Sequence, residues 1–273
     1  VPRIDPASEA VILAGAGRAI LLQLARPAVG YGVARHSDFA RNPMGRLHGT
    51  LMYVYAVMSG TPADRDLASS FVNRMHAPVH GPGDAHSPAY DARDPELQLW
   101  VAATLYDTAM TVYERVLGHL PPARADEVYA RYAALGTALD VPPDLWPASP
   151  AAFREYWRGA LAQLSVDDTI RAQADELWAA SEAPRWVRLL MPLNRWVTAG
   201  LLPAPVREQY GLAWSPRQQC RFDRLWAVLA AVYPRLPRVV RVWPQQYYLR
   251  RLRRLARPDT PRAPQTPPPA AAR

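Results

Sequence analysis

The chain has 273 residues, 49% of them hydrophobic and 21% charged, which is enough apolar side chain for a large core and too much for disorder throughout. Its best apolar runs, near residues 11–14 and 225–233, fall well short of the about 20 residues a membrane span needs, and no signal-like succession opens the chain at Val1-Pro2-Arg3-Ile4-Asp5, so a soluble, cytosolic protein is expected. A single cysteine, Cys220, excludes an internal disulfide framework and a cysteine zinc cluster, and agrees with a reducing compartment.

Apolar residues recur at helical spacing, and strand alternation is nowhere sustained, so the chain is predicted to be all-α. Asn42-Pro43, Thr61-Pro62, Asp94-Pro95, Ser149-Pro150 and Ser215-Pro216 each pair a capping side chain with a proline at the first helical position. The pattern predicts helices over 7–34 with a bend at Pro27, then 43–58, 62–77, 95–118, 123–138, 150–163, 166–180, 184–200, 203–210 and 216–233, with a shorter one over 245–256. Residues 76–93, broken by Pro78, Gly81, Pro82, Gly83 and Pro88, read as a long loop of the kind that often carries function.

The helix after Asp94 carries Leu97, Leu99, Trp100, Val101, Leu105, Met110, Val112 and Val116, leaving few polar positions on any face. Such a helix belongs at the centre of a fold. Elements from both sides of it in sequence must pack around it, which predicts one domain over 7–256. The Pro/Ala/Arg-rich segment 257–273 has no core-forming pattern and is expected to be disordered.

The net charge of +8 is all guanidinium, since the chain has no lysine, and it is unevenly placed. From Arg217 onward thirteen arginines face two aspartates, a net +11, which leaves −3 on residues 1–216. The basic end reads as a solvated face, or as a peripheral contact for acidic lipid, nucleic acid or an acidic partner. No specific nucleic-acid partner is expected, because the first two thirds are net negative.

Phosphate-binding loops, dinucleotide fingerprints and the common hydrolase motifs are absent. What stands out is a group in the first third: His36, Arg46, His48, Thr50, His76, His80 and His86. Arg46 and Thr50, four apart, share a helix face with Val54 and Val57. A guanidinium there needs an anion, either a core carboxylate or a ligand's phosphate or propionate. His76 closes its helix four residues after Val72 and is expected to face the same interior, with Asn73 and Arg74 pointing elsewhere. As a lone histidine it is either hydrogen-bonded or an axial ligand to haem iron, with His80 one turn along as the alternative. A zinc site from His76, His80 and His86 is weighed against this, but Pro78 breaks the helix that would align the first pair. Cys220 reads as a packing or surface residue, Asp94 as a helix cap, and Asp91 has no assigned partner.

These segments resemble a known family. Gly17-Arg18-Ala19 with Leu22-Gln23-Leu24-Ala25-Arg26-Pro27, Arg35-His36-Ser37, Pro43-Met44-Gly45-Arg46-Leu47 with Thr50, Arg74-Met75-His76-Ala77-Pro78-Val79-His80-Gly81, Tyr90-Asp91-Ala92-Arg93-Asp94-Pro95, Trp100-Val101 with Thr104-Leu105, and Leu201-Leu202-Pro203 to Tyr210-Gly211-Leu212 are similar to the family once called DUF2236. It takes in the oxygenase of mycophenolic acid biosynthesis and the rubber oxygenase, and the likeness runs over residues 10–256. The resemblance implies an all-helical fold holding one b-type haem with its iron, and cleavage of carbon–carbon double bonds in isoprenoid chains with dioxygen as co-substrate. The net negative charge on residues 1–216 and the lack of an export signal add the expectation of a small or medium apolar substrate, isoprenoid or aromatic. The resemblance places the axial metal ligand on His76 and the Arg-Thr pair, as cofactor-binding and catalytic residues, on Arg46 and Thr50. His36 and His48 join them as the remaining candidates for distal chemistry. Three positions depart from the family pattern: Gly49 stands where the rubber enzyme has lysine, no acidic residue before Arg46 takes the place of its glutamate, and Ala102 stands where histidine is frequent. A non-enzymatic haem carrier or partner-binding bundle is the alternative reading.

Overall fold

The computed structural model describes residues 5–36, 43–85, 87–181 and 183–255, with the helical backbone alone at residues 43, 44 and 46. Two 3₁₀ turns, Pro6–Ser8 and Ala10–Gly15, lead into α1 (Ala16–Leu24), α2 (Pro27–His36), α3 (Pro43–Ser59) and α4 (Pro62–His76). A two-residue antiparallel pair, β1 (His80–Gly81) with β2 (Tyr90–Asp91), precedes α5 (Pro95–Leu117). Then follow α6 (Pro122–Tyr132), α7 (Ala134–Thr137), α8 (Pro150–Ala162), α9 (Asp168–Ala179), α10 (Arg185–Leu201), α11 (Ala204–Gln209), α12 (Pro216–Val232), α13 (Arg238–Arg241) and α14 (Trp243–Leu255). The all-α expectation is met.

Two predicted helices are divided. The one expected over 7–34 begins as 3₁₀ turns and changes direction by 100° at Pro27, where proline has no N–H to continue the ladder. The one expected over 123–138 breaks at Ala133 into α6 and α7. The caps form as the sequence dictates: Thr61, Asp94, Ser149 and Ser215 each accept a backbone N–H of the first turn, and Thr61 and Ser215 complete capping boxes with Asp64 and Gln218. Asn42 lies outside the described residues, as do His86 and the segment 257–273.

Helix α5 is the central helix. Trp100 is buried against Trp157, ring centroids 5.2 Å apart, and its indole N–H donates to the Leu22 carbonyl at 3.2 Å. One turn and more along, the Tyr106 ring is met edge-on by Tyr129, Tyr132, Trp146 and Phe153, and burial pushes its hydroxyl up to about 12. Farther on, Val112 and Val116 pack with Phe222 and Trp226 of α12. The polar atoms that α5 takes inside are answered. Arg18 of α1, buried, donates to the Leu201 carbonyl (3.0 Å), the Thr108 hydroxyl (2.7 Å) and the Asp107 carboxylate (2.5 Å), and Gln23 donates to Thr104 at 2.9 Å. Burial raises the Asp107 carboxyl above its ordinary range while Arg18 opposes that rise.

The chain's last helix closes on its early ones. Tyr248, Leu249 and Leu252 of α14 share a core with Met52, Tyr55 and Ala56 of α3, and Tyr248 stacks on Tyr55 with centroids 5.8 Å apart. Arg253 reaches Asp64 at the start of α4 through two bonds, 2.9 and 2.7 Å. Glu9, 1% exposed, accepts from Tyr233 (2.9 Å) and from Arg241 (3.0 Å), which also forms its ion pair. Two of the C-terminal arginines are therefore structural, whereas Arg217, Arg221, Arg224, Arg235, Arg238, Arg250, Arg251 and Arg254 stand exposed. Among the described residues no single helix is long and apolar enough to cross a membrane.

Candidate functional site

Helices α3 and α4 form an antiparallel hairpin, because only Gly60 and Thr61 separate them. A Cβ on Gly60 would lie 2.5 Å from the Ala56 carbonyl oxygen and 2.8 Å from Asp64 Cβ, so the turn needs glycine. The register follows. A Cβ on Gly49 would lie 3.8 Å from the Phe71 ring, so the first turns of α3 run beside the last turns of α4. Arg46 and Thr50, on one helix, are thereby brought to the level of Phe71, Met75 and His76 on the other.

This end of the hairpin is open. The face of α3 shared by Arg46 and Thr50 tapers outward, from buried Val57 through half-buried Val54 to exposed Thr50. The side chain of Arg46 lies outside the described residues. Phe71 and Met75 are 40% and 58% exposed, unusual for side chains of that size.

His76 is half-buried at the last turn of α4, with its Nδ1 out of contact with solvent. Ser69, Asn73 and His76 fall on one flank of α4 at spacings of four and three residues, and Ser69 Oγ and Asn73 Oδ1 are buried without a hydrogen-bond partner among the described residues. Asn73 therefore does not point away from the histidine's flank as expected, although Arg74 does, being exposed. The spacing from Ser69 to Asn73 to His76 was the signal that could have found this polar row.

The long loop after His76 is held in place by α2. Arg35 donates to Asp84 (2.6 Å) and Ser87 (2.8 Å) and lies over the rings of Tyr31 and Tyr90, 5.5 and 5.8 Å from their centroids. His36 Nε2 meets the Tyr90 hydroxyl at 2.9 Å. A Cβ on Gly81 would come within 2.5 Å of that hydroxyl oxygen. The β1–β2 pair and the Ala92 N–H to Val79 carbonyl bond (2.9 Å) close the loop's base, and Asp91, which had no assigned partner, accepts the Arg93 N–H at 2.8 Å. Arg35 and Tyr90 stand in segments that carry the family resemblance but had no role from sequence, because an exposed arginine and a loop tyrosine carry no periodic signal.

The histidines separate. His36 sits with the loop at the exposed end of α2, and His80 is exposed on β1. His48 points to the other side of α3 from Thr50, where its Nδ1 lies 2.7 Å from the Tyr248 hydroxyl. Burial, helped by Arg251, holds His48 below the ordinary histidine range, so it is neutral near pH 7. Among the described residues no three His, Cys, Asp or Glu side chains gather at a common point.

An all-helical chain packed around a central helix, with a helical hairpin open at one end beside a clamped loop, is the class that the fold defines. The chain belongs to the family described as ER-bound oxygenase mpaB/B'/Rubber oxygenase, catalytic domain, whose model matches residues 7–231. It is 36% identical over 236 residues to the uncharacterized protein Rv2237 of Mycobacterium tuberculosis and, equally, to the uncharacterized protein Mb2261 of Mycobacterium bovis, which covers 84% of this chain and 92% of each relative. No solved structure matches it.

Proposed function

We propose that this protein is a haem-dependent oxygenase that uses dioxygen on a small apolar molecule, an isoprenoid or an aromatic compound. The supporting observation is the register of the α3–α4 hairpin, which sets Arg46 and Thr50 beside His76. The residues there fit a b-type haem. His76 supplies one half-buried imidazole, Ser69 and Asn73 supply buried polar atoms with no partner among the described residues, and Phe71 and Met75 supply apolar surface. His76 would hold the iron, and Arg46 would answer a propionate. When bound, the haem supplies dioxygen activation.

The chain's own groups do the rest. Thr50 offers a hydroxyl that both donates and accepts, in a setting where Gly49 leaves no side chain to compete. His36 and His48 are each engaged with a tyrosine, so neither is an unoccupied base, and Thr50 with Arg46 carries the polar chemistry. The loop clamped by Arg35 and Tyr90 fixes the backbone after His76 and so the direction of its ring. The reactive unit is residues 7–256, with double-bond cleavage the reaction its family suggests.

Purified protein titrated with haem should give a Soret band that His76→Ala abolishes in a folded chain, while His80→Ala keeps it. With labelled dioxygen, a panel of prenylated and aromatic compounds should acquire label. A Soret band without label in any compound favours the second reading, a haem-binding protein without oxygenase activity, which is supported by the engagement of His36 and His48 with tyrosines among the described residues. No Soret band in the wild type rejects both.

A further inference from the structure

The first turns of α10 present three distinct sectors. Val187, Met191 and Asn194 face the protein and are half-buried. Opposite them Trp186, Leu189, Leu190 and Leu193 span an arc of about 100° and are 64%, 81%, 50% and 53% exposed. Between the two lie Arg185, Arg188 and Arg195. Arg195 lies over the Trp178 ring, 4.9 Å from its centroid. Arg185 and Arg188 have neither an ion pair nor a hydrogen bond among the described residues. The helix itself, Arg185–Leu201, contains no acidic residue.

Four large apolar side chains at such exposure on one stripe are not scattered surface residues; they form a face that water solvates poorly. We propose that this face of α10 docks on an anionic lipid surface. The charge decides the occupant. Arginines beside an apolar stripe can extend their heads to lipid phosphates while the leucines enter the acyl boundary, and tryptophan favours that boundary. A second copy related by two-fold symmetry would set Arg185 and Arg188 against their own kind, and one stripe of four side chains offers far less than the ~800 Å² that a stable interface takes from each partner. The helix lies on the surface and does not span. The proposal is independent of the cofactor reading, since none of these residues belongs to the α3–α4 site.

The test is sedimentation with vesicles of phosphatidylcholine alone or mixed with phosphatidylglycerol. Wild-type protein should pellet with the mixed vesicles and only weakly with the neutral ones. Leu189→Gln with Leu193→Gln, both exposed and so without effect on folding, should weaken that binding by about tenfold or more. Arg185→Gln with Arg188→Gln should erase the preference for anionic lipid. Binding that survives both pairs of substitutions overturns the proposal and assigns it to the exposed arginines after Arg217. No binding to either vesicle also overturns it, and a dimer in equilibrium sedimentation that Leu189→Gln dissolves would then make a second copy the occupant.

Discussion

His48 of α3 and Tyr248 of α14 share a 2.7 Å hydrogen bond, and it joins a helix of the candidate site to a helix that lies beyond the family match at residue 231. Tyr248→Phe keeps the ring stack on Tyr55 and removes only the hydroxyl. It should cost about 0.5–1.5 kcal/mol, the net worth of one such bond, in denaturant unfolding.

The same histidine gives a pH dependence. Its folded value lies below the ordinary one, so the unfolded chain takes up the proton first and stability falls as the pH drops through about 6.5. The fall ends once the folded imidazole is also protonated. Thermal unfolding of His48→Gln between about pH 7.5 and pH 5 should be flatter than that of the wild type by this one contribution.

Asp64 should report at a lower pH. Its bonds to Arg253, before those to Thr61, hold its carboxyl well below the usual range despite burial. The stabilisation is complete above the unfolded value of about 3.9 and is lost as the pH falls through the folded one. Arg253→Ala should unfold more easily than the wild type at neutral pH, and acid titrations of the two should converge. A difference that persists unchanged into strong acid would locate the effect in packing.

Arg18→Met should be destabilising, by about 3 kcal/mol, because it leaves the half-buried Asp107 carboxylate without its cation and the Leu201 carbonyl and Thr108 hydroxyl without a donor. Arg18→Met with Asp107→Leu should be milder than the single change, as an apolar pair of similar volume removes the stranded charge. Urea midpoints of the two variants check this.

Gly81→Ala forces a methyl against the Tyr90 hydroxyl and should cost about 1–3 kcal/mol as overpacking. Because the displaced loop follows His76 directly, haem titration of this variant should show weaker retention than its stability loss alone explains. Tyr90→Phe with Gly81→Ala should restore part of both.

The helices were legible where local signals agreed. Proline after a capping side chain marked α4, α5, α8 and α12 to within a residue or two, and the apolar circumference of α5 marked the centre. The bend at Pro27 was visible, but its angle and the 3₁₀ start were not, since backbone geometry at Ala10–Gly15 is set by packing on α5. His76, Arg46 and Thr50 could be named from motif. Two residues apart on a helix, His48 and Thr50 already had to face about 200° apart; the partner of His48 was not legible, because Tyr248 comes from α14, two hundred residues later. Asn73, expected to point elsewhere, lies on the flank of His76 as its three-residue spacing allows, and its Oδ1 is buried there. Arg18 stood in a quoted motif without a role, which only the approach of Asp107 and Leu201 supplies.

The boundary of the family match and the boundary of the cooperative structure do not coincide. A chain ended at residue 231 would lose Tyr248, Leu249, Leu252 and Arg253, and with them the cover over Met52, Tyr55 and Ala56 and the counter-charge of Asp64. The α3–α4 hairpin is thus fastened by a helix that lies outside the stretch shared with the family. How firmly that hairpin is held, and at what pH, therefore depends on the contacts of His48 with Tyr248 and of Asp64 with Arg253, which the family stretch alone does not contain.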